Sequence, residues 1–173
     1  DAKHYVNLVE QGYSQYTENG EHLFLVFYPL YVWVVRLFRI VIPNTVAAGL
    51  TVSILSYGIG CCYVYKLAEL KFGRRTAMDS VLFLSFFPFS FFFGTVMTEG
   101  LFLLTTAGAI YYALRHKWLL FGIFGALSAM NRMVGVLVIV PAAVEMLSAL
   151  RPLESIQALK RGAVELLKRI LLL

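Results

Sequence analysis

Residues 46–65 read VAAGLTVSILSYGIGCCYVY, an uncharged apolar run bounded by Pro43 and Asn44 before it and Lys66 after it. A bilayer's hydrocarbon is roughly 30 Å thick and takes about 20 apolar residues of helix to cross, so this run is a candidate span. Gly49, Ser53, Ser56 and Gly60 recur on one face of it at helical spacing. Small residues in that pattern let neighbouring helices approach closely, so the stripe is a packing surface. The rest of the chain agrees: 60% of its 173 residues are apolar and 14% charged, against about 45–50% apolar in soluble domains. With a mean hydropathy of +0.75, this is the composition of an integral membrane protein.

Further apolar elements follow. VLFLSFFPFSFFFGTV comes after the polar stretch KLAELKFGRRTAMDS, and Pro88 within it should kink or end its helix. A helix from Glu99 to Leu114 returns. WLLFGIFGALSAM and VGVLVIVPAAVEMLSAL then form a hairpin around Asn131-Arg132. The expected fold class is all-α, a polytopic transmembrane helix bundle. Its parts are an outer loop with an interfacial helix over 1–44, transmembrane helices over 45–150 and a basic cytoplasmic amphipathic segment over 151–173. No signal peptide is visible, the chain begins in a loop, and its end KRILLL enters a new apolar run, so a fragment of a larger protein is expected. Cys61 and Cys62 are adjacent, which suits neither a disulfide framework nor a CxxC metal pair, so they are read as packing residues.

Orientation follows from the cations, because short cytoplasmic loops collect Lys and Arg. Lys66, Lys71, Arg74 and Arg75 share one loop, Arg115 and Lys117 another, and Arg151, Lys160, Arg161, Lys168 and Arg169 the tail, together 11 of the 15 cations. With these inside, the opening DAKHY segment is outside. LFLVFYPLYVWVVRLFRIVIP would reverse that if it crossed. Residues 24–42 are therefore expected to lie in the outer interface or re-enter, with Tyr28, Pro29, Tyr31 and Trp33 at headgroup depth.

Four cations, Lys3, Arg36, Arg39 and Arg132, remain outside and need a reason. Arg132 lies between two apolar helices, where an ionisable residue marks a functional site by default or else snorkels to headgroups. Arg36 and Arg39 share a helix face and either match phosphate oxygens or anchor phospholipid. Asp1, His4 and Tyr5 follow one another at helical spacing and can point into one pocket, although Asp1 would also serve as a helix N-cap and His4 as a packed histidine. Glu99, in the motif MTEG, opens a helix after Thr98 and is favoured there by the helix dipole whatever its function. Glu145 lies at the other end of the apolar helices and is read as structural; Glu10, Glu18 and Glu21 are read as solvated loop charges. No nucleotide-binding pattern is present, and no nucleic-acid partner is expected.

Taken in order, DAKHYVNLVEQGY, VFYPLYVWVVRLF, SFFPFSFFFGTVMTEGLFLL and GALSAMNRMVGVLVIVPAAVEML resemble the N-terminal half of the PIG-V family of GT-C class mannosyltransferases, especially its prokaryotic members. The resemblance runs from Asp1 to about Leu147. It implies a GT-C type bundle in the plasma membrane with an extracytoplasmic active face. It also implies an inverting transfer of a sugar, typically mannose, from a polyprenyl-phosphate-linked donor to a glycan or lipid acceptor. On that resemblance Asp1 is the general base, and Arg132, with Arg36 or Lys3, neutralises the departing phosphate. Glu99 holds sugar hydroxyls or orients His4. No cofactor is specified by the residues; two or three carboxylates on one face could hold a divalent metal ion, but no ligand spacing demands it. The rival readings are a transporter or lipid-flippase component, an oligosaccharide or protein glycosyltransferase of another GT-C family, and a scaffold subunit.

Overall fold

The computed structural model describes residues 2–18, 20–22 and 27–149, so Asp1 and the basic segment 151–173 lie outside the described residues. Among the described residues seven α-helices run in order: α1 Ala2–Gln11, α2 Pro29–Phe38, α3 Thr45–Phe72, α4 Arg74–Phe86, α5 Glu99–Leu114, α6 Trp118–Asn131 and α7 Ile139–Ala149. Single 3-10 segments at Ser90–Gly94 and Met133–Val138 precede α5 and α7. The all-α expectation holds apart from one antiparallel hairpin, β1 Thr17–Glu18 with β2 Glu21–His22.

Among the described residues α3 alone has both the length and the apolarity to cross a membrane unaided. Its 28 residues make a rod of about 42 Å, longer than the expected span because the polar stretch after Tyr65 is helix rather than loop. Lys66, Leu67, Ala68, Glu69, Leu70 and Lys71 are strong helix formers, and the Tyr65 hydroxyl donates to Glu69 one turn on at 3.2 Å. The start is set by Asn44, whose Oδ1 accepts from the Ala47 amide at 2.9 Å, an N-cap that satisfies one of the orphan donors of the first turn. The stop is Gly73 at φ +84°, a backbone state that a side chain would strain.

Proline shapes two other elements. Pro88 ends α4 as expected, with Phe87 held extended at φ −61°, ψ 138° because the proline ring disfavours a helical residue before it. In the segment read as one helix over 134–150, the α-helix instead begins at Ile139 with Pro141 in its first turn, and the residues before it form the 3-10 segment. A proline lacks the amide and crowds the carbonyl four residues back, so it is tolerated only near a helix start. Within the stretch over 24–42 the described residues form α2, of ten residues, about half a membrane's thickness. Trp33 is exposed, whereas Tyr31 is fully buried against its neighbours.

The helices share two ends. Val96 packs on Gly49, Gly100 lies against the Ser53 carbonyl, and Leu103 and Leu104 meet Gly60, so α3 and α5 run parallel. Tyr57 bonds Ser85, and Phe124 meets Gly108 while Asn131 meets Thr98, so α4 and α6 run antiparallel to them. One end therefore gathers Lys66 and Lys71 of α3 with the turns carrying Arg74, Arg75, Arg115 and Lys117. Lys66 Nζ there lies 5.9 and 5.8 Å from the ring centroids of Tyr63 and Tyr111, and Glu145 is 3.9 Å from His116. The other end holds α1, α2, the starts of α3 and α5 and the end of α6. Its buried core is Tyr5, Leu8, Val9, Tyr31, Val32, Val35, Val52 and their neighbours. Elsewhere the helices expose large apolar side chains, among them Ile54, Leu82, Phe83, Phe86, Leu119 and Val140.

Candidate active site

Two helix ends meet where the core closes. Thr98 is the N-cap residue of α5, yet its side chain makes no cap bond. Its Oγ1 is instead engaged by Arg132, which donates from Nε at 2.9 Å. Arg132 follows the last residue of α6 in an extended conformation, φ −153°, ψ 147°. Its Nη2 donates to Glu99 Oε1, forming an ion pair with a carboxylate that already gains from the first turn of α5. The guanidinium also lies over the Phe102 ring, 5.7 Å from its centroid, a favourable cation–π distance. The turn is held by Asn131, only 1% exposed, whose Nδ2 donates to the Thr98 carbonyl at 3.3 Å. Gly135 then passes against the Ser128 carbonyl so closely that a Cβ would overlap it.

The pair is partly open, with 39% of the Arg132 side chain and 25% of the Glu99 side chain exposed. Three polar atoms beside it are buried without a partner among the described residues: Glu99 Oε2, Asn131 Oδ1 and Ser128 Oγ. Such atoms normally find partners, so the cluster retains unused hydrogen-bonding capacity. From the α1 side comes Tyr5. Burial raises its phenol pKa, while a hydrogen bond with Thr98 and the charge of Arg132 oppose the rise. A second chain of bonds supports the same spot from behind. The Tyr31 hydroxyl donates to the Gly49 carbonyl at 3.0 Å and lies 2.9 Å from Ser53 Oγ, and Ser53 Oγ donates to the Met97 carbonyl at 3.1 Å.

The residues singled out from sequence divide accordingly. Arg132 and Glu99 are brought together. Lys3 is exposed on α1. His4 is half-buried and packs on Phe27, with Nδ1 2.9 Å from the Tyr16 hydroxyl. Arg36 is engaged elsewhere: its Nε donates to the Val9 carbonyl at 3.0 Å and its Nη2 to the Leu8 carbonyl at 3.1 Å. These carbonyls belong to the C-terminal turn of α1, where Leu8 also accepts from the Gly12 amide at 3.0 Å and where a cation is favoured. Arg39 Nε is buried without a partner among the described residues. Asp1 immediately precedes α1 but lies outside the described residues. Glu10, read as a solvated charge, accepts from Thr45 Oγ1 at 2.7 Å and ties α1 to the first turn of α3. Among the described residues no three His, Cys, Asp or Glu side chains converge as a metal-ligand set.

Sequence reasoning missed Asn131, Thr98 and Phe102 as parts of the site, and Tyr31 as its support. The available signal was polar residues inside apolar runs, since a buried hydroxyl or amide must find a partner.

Neither a curated protein nor a solved structure matches the chain. A family model described as dolichyl-phosphate-mannose-protein mannosyltransferase matches residues 28–166, a stretch that contains Arg36, Glu99 and Arg132 but not Asp1, Lys3 or His4. The chain therefore belongs to the dolichyl-phosphate-mannose-protein mannosyltransferase family, a family of integral membrane glycosyltransferases.

Proposed function

We propose that this chain carries the reaction end of an inverting glycosyltransferase that moves a sugar, first of all mannose, from a polyprenyl-phosphate donor to an acceptor outside the membrane. The observation that carries this reading is the partly open Arg132–Glu99 pair at the end of the helices opposite the cation-rich turns. The positive-inside rule puts those turns in the cytoplasm and the pair outside, in a multi-pass protein of the plasma membrane. The apolar side chains exposed around the helices suit contact with lipid. A transporter would place its charges near the midplane; this pair is at one end.

In the proposed reaction the acceptor hydroxyl oxygen attacks the anomeric carbon from the face opposite the phosphate. The bond from that carbon to the phosphate oxygen breaks, and the phosphate leaves with the electron pair. Asp1 is the base that takes the hydroxyl proton, a role worth about 10² to 10⁴ in rate. Arg132 neutralises the charge growing on the phosphate, held in place beforehand by Thr98 and Phe102 so that little reorganisation is needed. Glu99 accepts from sugar hydroxyls. Lys3 and His4, on α1 beside Asp1, are further substrate contacts, Lys3 toward the departing phosphate. Arg36 contributes by holding the end of α1.

The finer affiliation we propose is PIG-V-like, on the order of the four motifs, with a glycan or lipid acceptor. The matched family is named for a protein acceptor, so both kinds belong in the test. Membranes carrying the full-length protein are given radiolabelled polyprenyl-phosphate-mannose and each acceptor class. Arg132→Gln should lower transfer by about 10²-fold or more and Asp1→Asn by a similar factor, at equal protein levels. Wild-type rates in both variants would overturn the assignment of the site.

A further inference from the structure

The proposed reaction needs Arg132 for a phosphate and Glu99 for a sugar, yet the structure pairs them with each other. Resting on that reading, we infer that the donor's phosphate competes with the Glu99 carboxylate for Arg132, so that donor binding exchanges one anion for another and turns Glu99 toward the sugar.

Three observations support the exchange. Arg132 has supports besides Glu99: the Nε bond to Thr98 Oγ1 and the Phe102 ring are both uncharged. The guanidinium therefore keeps its position when the carboxylate leaves. Its fork is also incompletely used, because the bonds to Thr98 and Glu99 take Nε and Nη2 and Nη1 has no partner among the described residues. A phosphate can thus approach before the old bond breaks, and guanidinium forks fit phosphate oxygens in two-point geometry. Finally, Glu99 Oε2 is buried without a donor among the described residues. A carboxylate so placed is incompletely satisfied, and sugar hydroxyls supply the donors it lacks. The exchange also keeps Arg132 compensated by an anion throughout, which avoids the cost of an unpaired cation in an apolar setting.

The test measures binding of farnesyl monophosphate, a short prenyl phosphate without sugar, to the full-length protein in detergent by titration calorimetry. Farnesol and inorganic phosphate serve as the tail-only and head-only arms. Removing the competing charge with Glu99→Gln should tighten farnesyl phosphate binding roughly three- to tenfold, while Arg132→Gln weakens it by about tenfold or more. In the double variant the gain from Glu99→Gln should vanish, because it acts only through Arg132. Glu99→Asp keeps the charge in the first turn of α5 but shortens its reach, and should tighten binding by a smaller factor; it serves if the Gln variant does not fold. Unchanged or weaker binding in the folded Glu99 variants would overturn the exchange. Tighter binding in Glu99→Gln with no mannose transfer by the wild type would uphold the exchange and remove the glycosyltransferase reading. Transfer by the wild type with unaltered Glu99→Gln affinity would do the reverse.

Discussion

Tyr31 shows how the fold gives a single residue contacts that its sequence neighbours do not announce. In FYPLYVWVV it resembles a headgroup anchor, because aromatic residues gather at that depth. The fold buries it completely and uses its hydroxyl to join α2 to the Gly49 carbonyl and Ser53 of α3. Tyr31→Phe removes these bonds between α2 and α3, at a cost of about 0.5–1.5 kcal/mol. Thermal unfolding in detergent should therefore show a lower midpoint, whereas Trp33→Phe, on the exposed side of the same helix, should shift it little. Arg132 and Glu99 were legible because a charge in an apolar run always needs an account. Asn131 and Thr98 were not, because an uncharged polar residue gives no comparable warning until its partner is known.

At the scale of elements, close approach decides where α5 sits. A Cβ on Gly100 would stand 2.5 Å from the Ser53 carbonyl oxygen, and backbone cannot yield as a flexible side chain can. Gly100→Ala should push α5 from α3 and cost about 1–3 kcal/mol. Gly58→Ala, in the middle of α3 with nothing within 4 Å, should instead be neutral or stabilising by up to about 1 kcal/mol. Paired melting curves of the two variants test the contrast, and equal shifts would refute it. Because Glu99 is Gly100's neighbour, the first variant should also weaken mannose transfer. The small-residue stripe on α3 was readable as a packing face from its spacing, and Gly49, Ser53, Ser56 and Gly60 are indeed buried. The helix that fills it was not, since spacing on one helix says nothing about its partner.

For the whole molecule the decisive feature is the separation of its two ends. Single cysteines placed at Arg75, Lys117 or Met133, in a background with Cys61 and Cys62 replaced by alanine, should report it in intact cells. A membrane-impermeant thiol reagent should label Met133→Cys, which is 77% exposed in the native chain, and leave Arg75→Cys and Lys117→Cys untouched until the cells are opened. The opposite pattern would reverse the orientation and remove the outer-face reading of the site.

Sequence alone determined that this chain is helical and built for a membrane, where α4 stops and which charges are out of place. Each of these depends on local chemistry: apolar length, a missing proline amide, the cost of an unpaired ion. Tertiary structure alone decided which partners those charges take. Arg132 meets Glu99 and Thr98 although they are more than thirty residues away, because α5 and α6 run antiparallel and bring the start of one beside the end of the other. Arg36 is drawn instead to the end of α1. Two arginines of the same kind thus have different roles, set by the backbone that the packing of helices delivers to each.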